Sequence, residues 1–205
     1  PAVSPWIRYL WGHLHERQGN TGKALEHYLS VLEDLPRDSW VHLRTGILQE
    51  QQGEQEQALF HYKIASDAYP DSFRILFRRS IVTMNLLQEE ESIHIHLKMI
   101  ELRPEHALSL NNLAWMYLTA KDRSLRQPEK ALELALKSVE LEATIDHIDT
   151  LAEAYFQTGQ TGKAIETLRK GIREASYPKS RERYLEGQYR RFRKGDTSVS
   201  PPPVS

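Results

Sequence analysis

The 205-residue sequence has no cysteine, and it has no long run of apolar residues. The absence of cysteine excludes disulfide bonds, thiolate metal sites and a cysteine nucleophile, and it fits an oxidising compartment as well as a reducing one. No run reaches the ~18 apolar residues that a membrane-spanning helix needs. The first residues, PAVSPW, lack the basic and apolar regions of a signal peptide. The compartment therefore stays open.

The sequence patterns of common catalytic and metal sites are also missing. No glycine-rich phosphate loop, GxSxG elbow or HExxH motif occurs. Glu91 and His94 form a single Glu-x-x-His pair, whereas carboxylate-bridged metal centres need two such pairs and further carboxylates. His13 with His15, and His94 with His96, are two residues apart, a spacing that points side chains to different faces of a helix. We therefore expect no enzyme activity, no cofactor and no metal site.

Charge of one sign is not in excess. The chain has 27 Lys and Arg against 28 Asp and Glu, a formal net charge of −1, and 40% of its residues are apolar. This composition is typical of a soluble helical chain with enough apolar material for a core, and it argues against a global attraction to nucleic acid. Because the chain opens on Pro1 rather than Met, we expect a processed or excised segment, which leaves room for an anchor or targeting signal outside it.

One spacing of small, aromatic and proline residues returns every 34 residues. The stretch GNTGKALEHYLSVLEDLPRD, residues 19–38, defines it, and the recurring positions hold Gly19, Ala24, Tyr28 and Pro36, then Gly53, Ala58, Tyr62 and Pro70, then more loosely Leu87, Ser92, His96 and Pro104. Glycine permits a tight turn after a first helix, alanine lets a second helix approach it closely, and proline ends the second helix. The spacing therefore predicts repeated helix pairs.

This pattern resembles the tetratricopeptide repeat, a 34-residue helix-turn-helix unit. Two further copies match it, one at Leu110, Leu113, Ala114, Tyr117 and Ala131 and one at Ile148, Leu151, Ala152, Tyr155, Gly159, Ala164, Leu168 and Gly171. The resemblance implies an all-α fold, a right-handed superhelical array of five helix pairs plus a C-terminal capping helix. It also implies a binding scaffold and specifies no reaction, because repeats of this family are usually binding scaffolds and a fold does not fix a function.

The predicted boundaries follow the period. The five repeats take up residues 1–176, with copies at about 5–38, 39–72, 73–106, 107–144 (which has an insertion at 121–128) and 145–178. Helices are expected at about 5–18, 21–34, 39–52, 54–68, 72–87, 89–102, 105–120, 145–158, 161–174 and 179–194, and a further helix is expected to begin near residue 128. Ser39 is expected to be an N-cap. Residues 179–195 are predicted to cap the array through an apolar stripe of Leu185, Tyr189 and Phe192. Residues 196–205 are predicted to be disordered, with a polyproline preference at Pro201–Pro203.

The first helices of the first three copies depart from the family pattern. Arg8, His42, Gln49 and Arg79 take positions that are normally apolar or aromatic. Large apolar residues occur instead at positions that usually face the concave surface of the array. These residues are Trp6, Tyr9, Trp40, Leu43, Ile47, Phe77 and Ile81. Their spacing within helices and between copies predicts one wall. Three interpretations stay open, which are burial against neighbouring helices, a partner-binding groove, and self-association.

Polar residues at the same face form a charge gradient from basic to acidic. Arg74 and Arg78 match two basic positions of family members that clamp a peptide carboxylate. Tyr9, His13 and Arg44 replace the Lys, Asn and Asn of those members. The resemblance therefore does not imply that this chain binds a terminal carboxylate as they do. The alternative is that these charges simply face water. The predicted partner-binding residues of the concave face are Trp6, Tyr9, His13, Trp40, Leu43, Arg44, Ile47, Arg74, Phe77, Arg78, Asn111, Asn112, Trp115, Asp146, Asp149 and Glu153.

We therefore expect a non-catalytic scaffold that binds a peptide or partner protein with apolar and acidic groups. Basic groups at the other end of the peptide would meet Asp146, Asp149 and Glu153. Two alternatives stay open. Residues 109–115 and 128–135 are similar to the last repeats of bacterial membrane or envelope proteins, some with glycosyltransferase domains, and the chain would then be an appendage that presents substrate or regulates such a protein. The other is polyanion binding, to acidic lipid or nucleic acid, by a C-terminal helix that carries Lys179, Arg181, Arg183, Arg190, Arg191, Arg193 and Lys194.

Overall fold

The computed structural model describes residues 3–174, 177 and 179–198, which form α-helices, one short 3-10 helix and no strand. The helices are α1 (Pro5–Arg17), α2 (Thr21–Asp34), α3 (Ser39–Gln51), α4 (Gln55–Ala68), α5 (Phe73–Asn85), α6 (Glu89–Leu102), α7 (Ala107–Thr119), α8 (Pro128–Leu141), α9 (Ile145–Gln157), α10 (Thr161–Glu174) and α11 (Lys179–Lys194). The fold class is therefore all-α, as the repeat spacing predicts.

Consecutive helices pack as pairs, and glycine in the first helix of a pair lets the aromatic ring of the second approach closely. The pairs include α1 with α2, α3 with α4, α7 with α8, and α9 with α10. A Cβ atom added at Gly12 would lie 2.8 Å from Cε1 of Tyr28, and one added at Gly46 would lie 2.8 Å from Cε1 of Tyr62. Both tyrosines are fully buried.

The turn between the two helices of a pair requires a left-handed residue. Gly19, Gly53 and Gly159 adopt φ angles of 76°, 81° and 78°, a region that glycine enters without steric cost. In the third copy Leu87 stands at this position and adopts a φ angle of 55°. The backbone geometry of the repeat is thus kept where the sequence departs from it.

Two other local features position neighbouring elements. Asp38, and not the predicted Ser39, is the N-cap of α3, because its Oδ1 atom accepts hydrogen bonds from the backbone N–H groups of Trp40 (3.1 Å) and Val41 (2.9 Å). In the insertion, residues 123–125 form the 3-10 helix, and the Arg126 side chain donates a hydrogen bond to the carbonyl of Ala120 (2.7 Å). The insertion is therefore ordered and tied to the end of α7.

Contacts divide the chain into two compact units, Pro1–Ile95 and His96–Ser205, and the division falls within α6. The N-terminal unit has a core of Tyr28, Val31, Leu48, Tyr62 and their neighbours on α2 to α5. Its core also holds His42 and His61, whose Nδ1 atoms are 2.6 Å apart. Burial and the neighbouring His42 lower the pKa of His61 to about 4, so His61 is neutral near pH 7.

The C-terminal unit has a core in which α11 packs against α10. Leu185 and Phe192 of α11 are buried together with Phe156 and Leu168, and the rings of Phe156 and Phe192 stack at 4.8 Å. The boundaries proposed for the repeats and for the cap at 179–195 stay predictions about domain organisation. The expectation of a disordered tail falls largely on residues 199–205, which lie outside the described residues.

Candidate functional site

Three aromatic side chains of the N-terminal unit surround a cavity at the predicted concave positions of α1 and α3. The rings of Trp6 and Tyr9 stack with centroids 5.5 Å apart, and Nε1 of Trp40 donates a hydrogen bond to the hydroxyl of Tyr9 (2.9 Å). Trp6 and Trp40 are 65% and 48% exposed. The cavity, called the aromatic pocket below, has a volume of about 330 Å³ and is lined by Pro5, Trp6, Tyr9, Val31, Leu35, Asp38, Trp40 and Val41.

The prediction that Leu43 and Ile47 line an accessible wall was wrong. These side chains are only 2% and 5% exposed and belong to the core of the N-terminal unit, together with Tyr62 and Ile75. They are buried because they lie between helices that flank α3, so that burial, one of the three open interpretations, applies to them. Phe77 is half-buried.

Arg44 and Arg78 are engaged by carboxylates of the preceding copy. Arg44 pairs with Glu16 (2.5 Å), which also accepts a hydrogen bond from the hydroxyl of Tyr28 (2.8 Å). Thirty-four residues later Arg78 pairs with Glu50 (3.4 Å), which accepts from the hydroxyl of Tyr62 (2.5 Å). Burial and the adjacent glutamate raise the pKa of both tyrosines. These two Glu-Tyr-Arg clusters hold neighbouring copies together and leave less positive charge for a partner.

The remaining predicted residues of this unit differ in exposure. His13 is half-buried, with its ring stacked on Tyr9 at 6.4 Å. Arg74 is exposed and forms no ion pair within the described part of the chain. Glu91 of the isolated Glu-x-x-His pair binds Arg79 (2.7 Å) and Lys63 (2.9 Å) instead of a histidine.

In the C-terminal unit the acidic residues of α9 are bound by α11. Asp146 pairs with Arg181, and Glu153, which is 1% exposed, pairs with Arg191. Asp149 accepts a hydrogen bond from the hydroxyl of Tyr184 (2.9 Å), and burial raises the pKa of Asp149 to about 7. The expectation that these three carboxyl groups are open to a basic partner segment was therefore wrong for Asp149 and Glu153, which are buried and bound by side chains of this chain. Asp146 pairs with Arg181 but stays exposed.

The other predicted residues of this unit lie on α7. Asn111 is buried, Trp115 is half-buried, and the amide of Asn112 lies 3.5 Å from Nε2 of His96. Within the described residues, no group of three or more acidic or histidine side chains is placed to hold a metal ion.

The basic C-terminal helix is partly used inside its own unit. Arg181 and Arg191 are the partners of Asp146 and Glu153. Arg191 also donates to the carbonyls of Asp196 (3.3 Å) and Ser198 (2.6 Å). A basic groove of about 420 Å³ remains along α11, and it includes Arg183, Gly187, Arg190, Arg191 and Lys194. The polyanion alternative thus loses two of its seven basic groups.

Sequence reasoning missed a second apolar surface, on the outer face of α1. Ile7, Leu10, Trp11 and Leu14 are all exposed there. The positions 34 residues after Ile7, Trp11 and Leu14 are Val41, Thr45 and Leu48, which are buried where α3 packs against α2. The signal was present in the sequence, because this stripe has the three- and four-residue spacing of a buried helix face.

Paired helices with a glycine or alanine at the crossing and a left-handed residue in the turn define a helical-repeat protein. Residues 9–79 and 149–176 match models described as tetratricopeptide repeat. These two stretches are therefore assigned to the tetratricopeptide repeat family. A comparison with proteins of curated function gives no match.

Solved structures show the same fold at low identity. A crystal structure of MamA is 17% identical with a TM-score of 0.69, covering 96% of this chain and 98% of that one. A second, MamA 41-end from Desulfovibrio magneticus RS-1, is 18% identical with a TM-score of 0.68 and coverages of 82% and 93%. YrrB, a TPR protein with an unusual peptide-binding site, is 16% identical with a TM-score of 0.70 and coverages of 80% and 83%. Within the described residues, no helix combines the length and apolar character needed to cross a membrane.

Proposed function

We propose that this chain is a non-catalytic protein-interaction scaffold that binds an extended or helical segment of a partner protein at the aromatic pocket. The observation that carries the proposal is the exposure of Trp6 and Trp40 around a cavity, although apolar residues at neighbouring positions of α3 are buried. Aromatic side chains that become buried on binding dominate the energetics of protein interfaces. The description of YrrB as a peptide-binding repeat protein supports the same kind of function for this fold.

The internal ion pairs restrict which chemical groups of a partner can bind strongly to this unit. Arg44 and Arg78 already bind Glu16 and Glu50, so an acidic partner group gains little from them. Arg74 is exposed and stays available to such a group. Apolar contact with the aromatic pocket is therefore the main source of affinity in this proposal.

Peptides selected from a displayed random library on the immobilised protein test the proposal. We expect Trp40→Ala and Trp6→Ala to weaken calorimetric binding of the selected peptides at least tenfold, about 1.4 kcal/mol. Trp11→Ala is the matched control, because Trp11 lies on the outer face of α1 and does not line the aromatic pocket. If both pocket variants stay folded and bind as tightly as the parent chain, the partner does not use the aromatic pocket.

A further inference from the structure

We infer that the aromatic pocket takes a cationic side chain, lysine or arginine, from the partner segment. The inference rests on the proposed function and specifies the chemistry of the group that enters the pocket. It reverses the sequence-based expectation of an acidic partner group. Its basis is the combination of Trp6, Tyr9 and Trp40 with the carboxylate of Asp38 in one cavity.

The three rings are held in place by contacts with one another and with the core. Tyr9 lies at the centre, stacked on Trp6 with an interplanar angle of 15° and packed against the buried ring of Tyr28 at 5.7 Å. The indole N–H of Trp40 is already donated to the hydroxyl of Tyr9. The pocket therefore offers aromatic surface, whose negative faces attract cations, and the Trp40 N–H is not available to an anion.

The charged group at the pocket is a carboxylate. Asp38 is the lining residue that carries charge, and no lysine or arginine lines the pocket. The backbone N–H groups of Trp40 and Val41 fix its Oδ1 atom, and within the described residues Asp38 forms no ion pair. A cation beside an indole face and a carboxylate gains from both, more so where water is partly excluded.

The charge of the whole N-terminal unit favours the same partner. Residues 1–95 contain 13 acidic and nine basic residues, a formal net charge of −4, although the complete chain is nearly neutral. A negative unit raises the local concentration of cationic groups and disfavours anionic ones. An uncharged apolar side chain would gain only the aromatic contact, so the comparison that decides is between a cationic group and a neutral one of similar length.

The test uses small blocked amino acids, so it does not depend on a partner being known. The four tryptophans give four indole N–H signals in a nitrogen-15 spectrum of the full chain. During titration with N-acetyl-lysine or N-acetyl-arginine methylamide we expect the signals of Trp6 and Trp40 to move, while those of Trp11 and Trp115 stay in place. N-acetyl-norleucine methylamide, which is apolar and uncharged, should bind at least about fivefold more weakly.

Asp38→Asn separates charge from structure, because asparagine is as good an N-cap as aspartate. We expect this variant to melt like the parent chain and to bind the lysine probe at least about threefold more weakly. Asp67→Asn, which removes an exposed carboxylate that does not line the pocket, is the control and should leave binding unchanged. Equal shifts with norleucine, or unchanged lysine binding by Asp38→Asn, would overturn the inference.

The two proposals can fail separately. If the cationic probes leave Trp6 and Trp40 unmoved while Trp40→Ala abolishes binding of the selected peptides, the scaffold function stands and the cationic specificity is wrong. If neither the probes nor the peptides respond to changes in the aromatic pocket, both are wrong.

Discussion

Gly46 sets the spacing between α3 and α4 by having no side chain. A Cβ atom at this position would lie 2.8 Å from Cε1 of Tyr62 and 3.2 Å from the carbonyl oxygen of Ala58. Helix propensity alone would make Gly46→Ala stabilising by about 1 kcal/mol. Overpacking against a fully buried ring costs about 1–3 kcal/mol, so we expect no gain and a net loss of up to about 2 kcal/mol. Urea denaturation followed by circular dichroism measures the difference.

Gly22→Ala is the matched control for this prediction. Gly22 lies in α2, and a Cβ atom there would have no neighbour within 4 Å. Because only helix propensity changes, this variant should be as stable as the parent chain or more stable, by up to about 1 kcal/mol. Equal stabilisation by both alanine substitutions would show that Tyr62 does not restrict Gly46.

Leu87 has a backbone conformation that is unfavourable for a residue with a side chain. It adopts a φ angle of 55° and is 63% exposed, so it gains little from burial in return for its left-handed conformation. That conformation costs a residue with a Cβ atom about 1–2 kcal/mol. We expect Leu87→Gly to raise the free energy of unfolding by about 1 kcal/mol in thermal or urea denaturation.

The same substitution elsewhere should have the opposite sign. Leu97 is also exposed but lies within α6, where glycine costs about 1 kcal/mol in helix propensity. Leu97→Gly should therefore lower stability. A loss of stability in Leu87→Gly as well would mean that the leucine side chain contributes more than the strained backbone costs.

At the scale of single elements, α11 is held to α9 by a buried ion pair. Glu153 and Arg191 are 1% and 8% exposed, and the guanidinium also lies over the rings of Phe156 (5.1 Å) and Phe192 (4.7 Å). Removing one member of such a pair leaves an uncompensated charge and costs about 3–5 kcal/mol. We expect Arg191→Met to lower the free energy of unfolding by about 3 kcal/mol.

A double-mutant cycle separates the charge from the packing. Glu153→Gln combined with Arg191→Met should recover much of the loss, because no charge is then left buried without a partner. Arg190→Met is the control, since Arg190 is exposed and its nearest carboxylate oxygen, on Glu186, is 3.9 Å away. That change should stay within about 0.5 kcal/mol. Additive losses in the double variant would show that Arg191 acts only through packing.

The outer face of α1 shows how burial depends on neighbouring elements as well as on periodicity. Ile7, Trp11 and Leu14 have the spacing of a buried face, and their counterparts on α3 are covered by the preceding pair. In α1 these residues are exposed because, within the described part of the chain, no preceding helix pair lies over them, and Trp11 contacts only the edge of its own pair at His27 of α2 (5.6 Å between ring centroids). An isolated helix sequence therefore predicts which face is apolar but not whether that face is covered.

For the molecule as a whole, the helix ends that were predicted from the sequence agree with the structure to within two residues, although no end was predicted for α8. This accuracy has a local cause, because most turns and helix crossings depend on one glycine, alanine or proline in a fixed place, and Leu87 keeps the turn geometry in the third copy. The site was less predictable. Trp40 and Leu43 belong to the same predicted wall, yet one is exposed and the other is buried by side chains from other helices.

Which charged residues form ion pairs within the chain could be predicted only in part. Glu16, Tyr28 and Arg44 recur as Glu50, Tyr62 and Arg78 at the repeat period, a signal that could have shown the arginines to be paired. The pairing of Glu153 with Arg191 has no such signal. It occurs once, it joins residues 38 positions apart, and it depends on where α11 packs.

The Glu-Tyr-Arg clusters bear on how such a chain can lengthen. Each cluster takes its glutamate and tyrosine from one copy and its arginine from the next, always at the same offsets. A gene duplication that inserts a second copy of residues 17–50 would place each new glutamate beside a tyrosine and an arginine again. No ion would be left without its counterion at the new junction, so this polar contact, unlike the single pair at α11, is inherited together with the repeat.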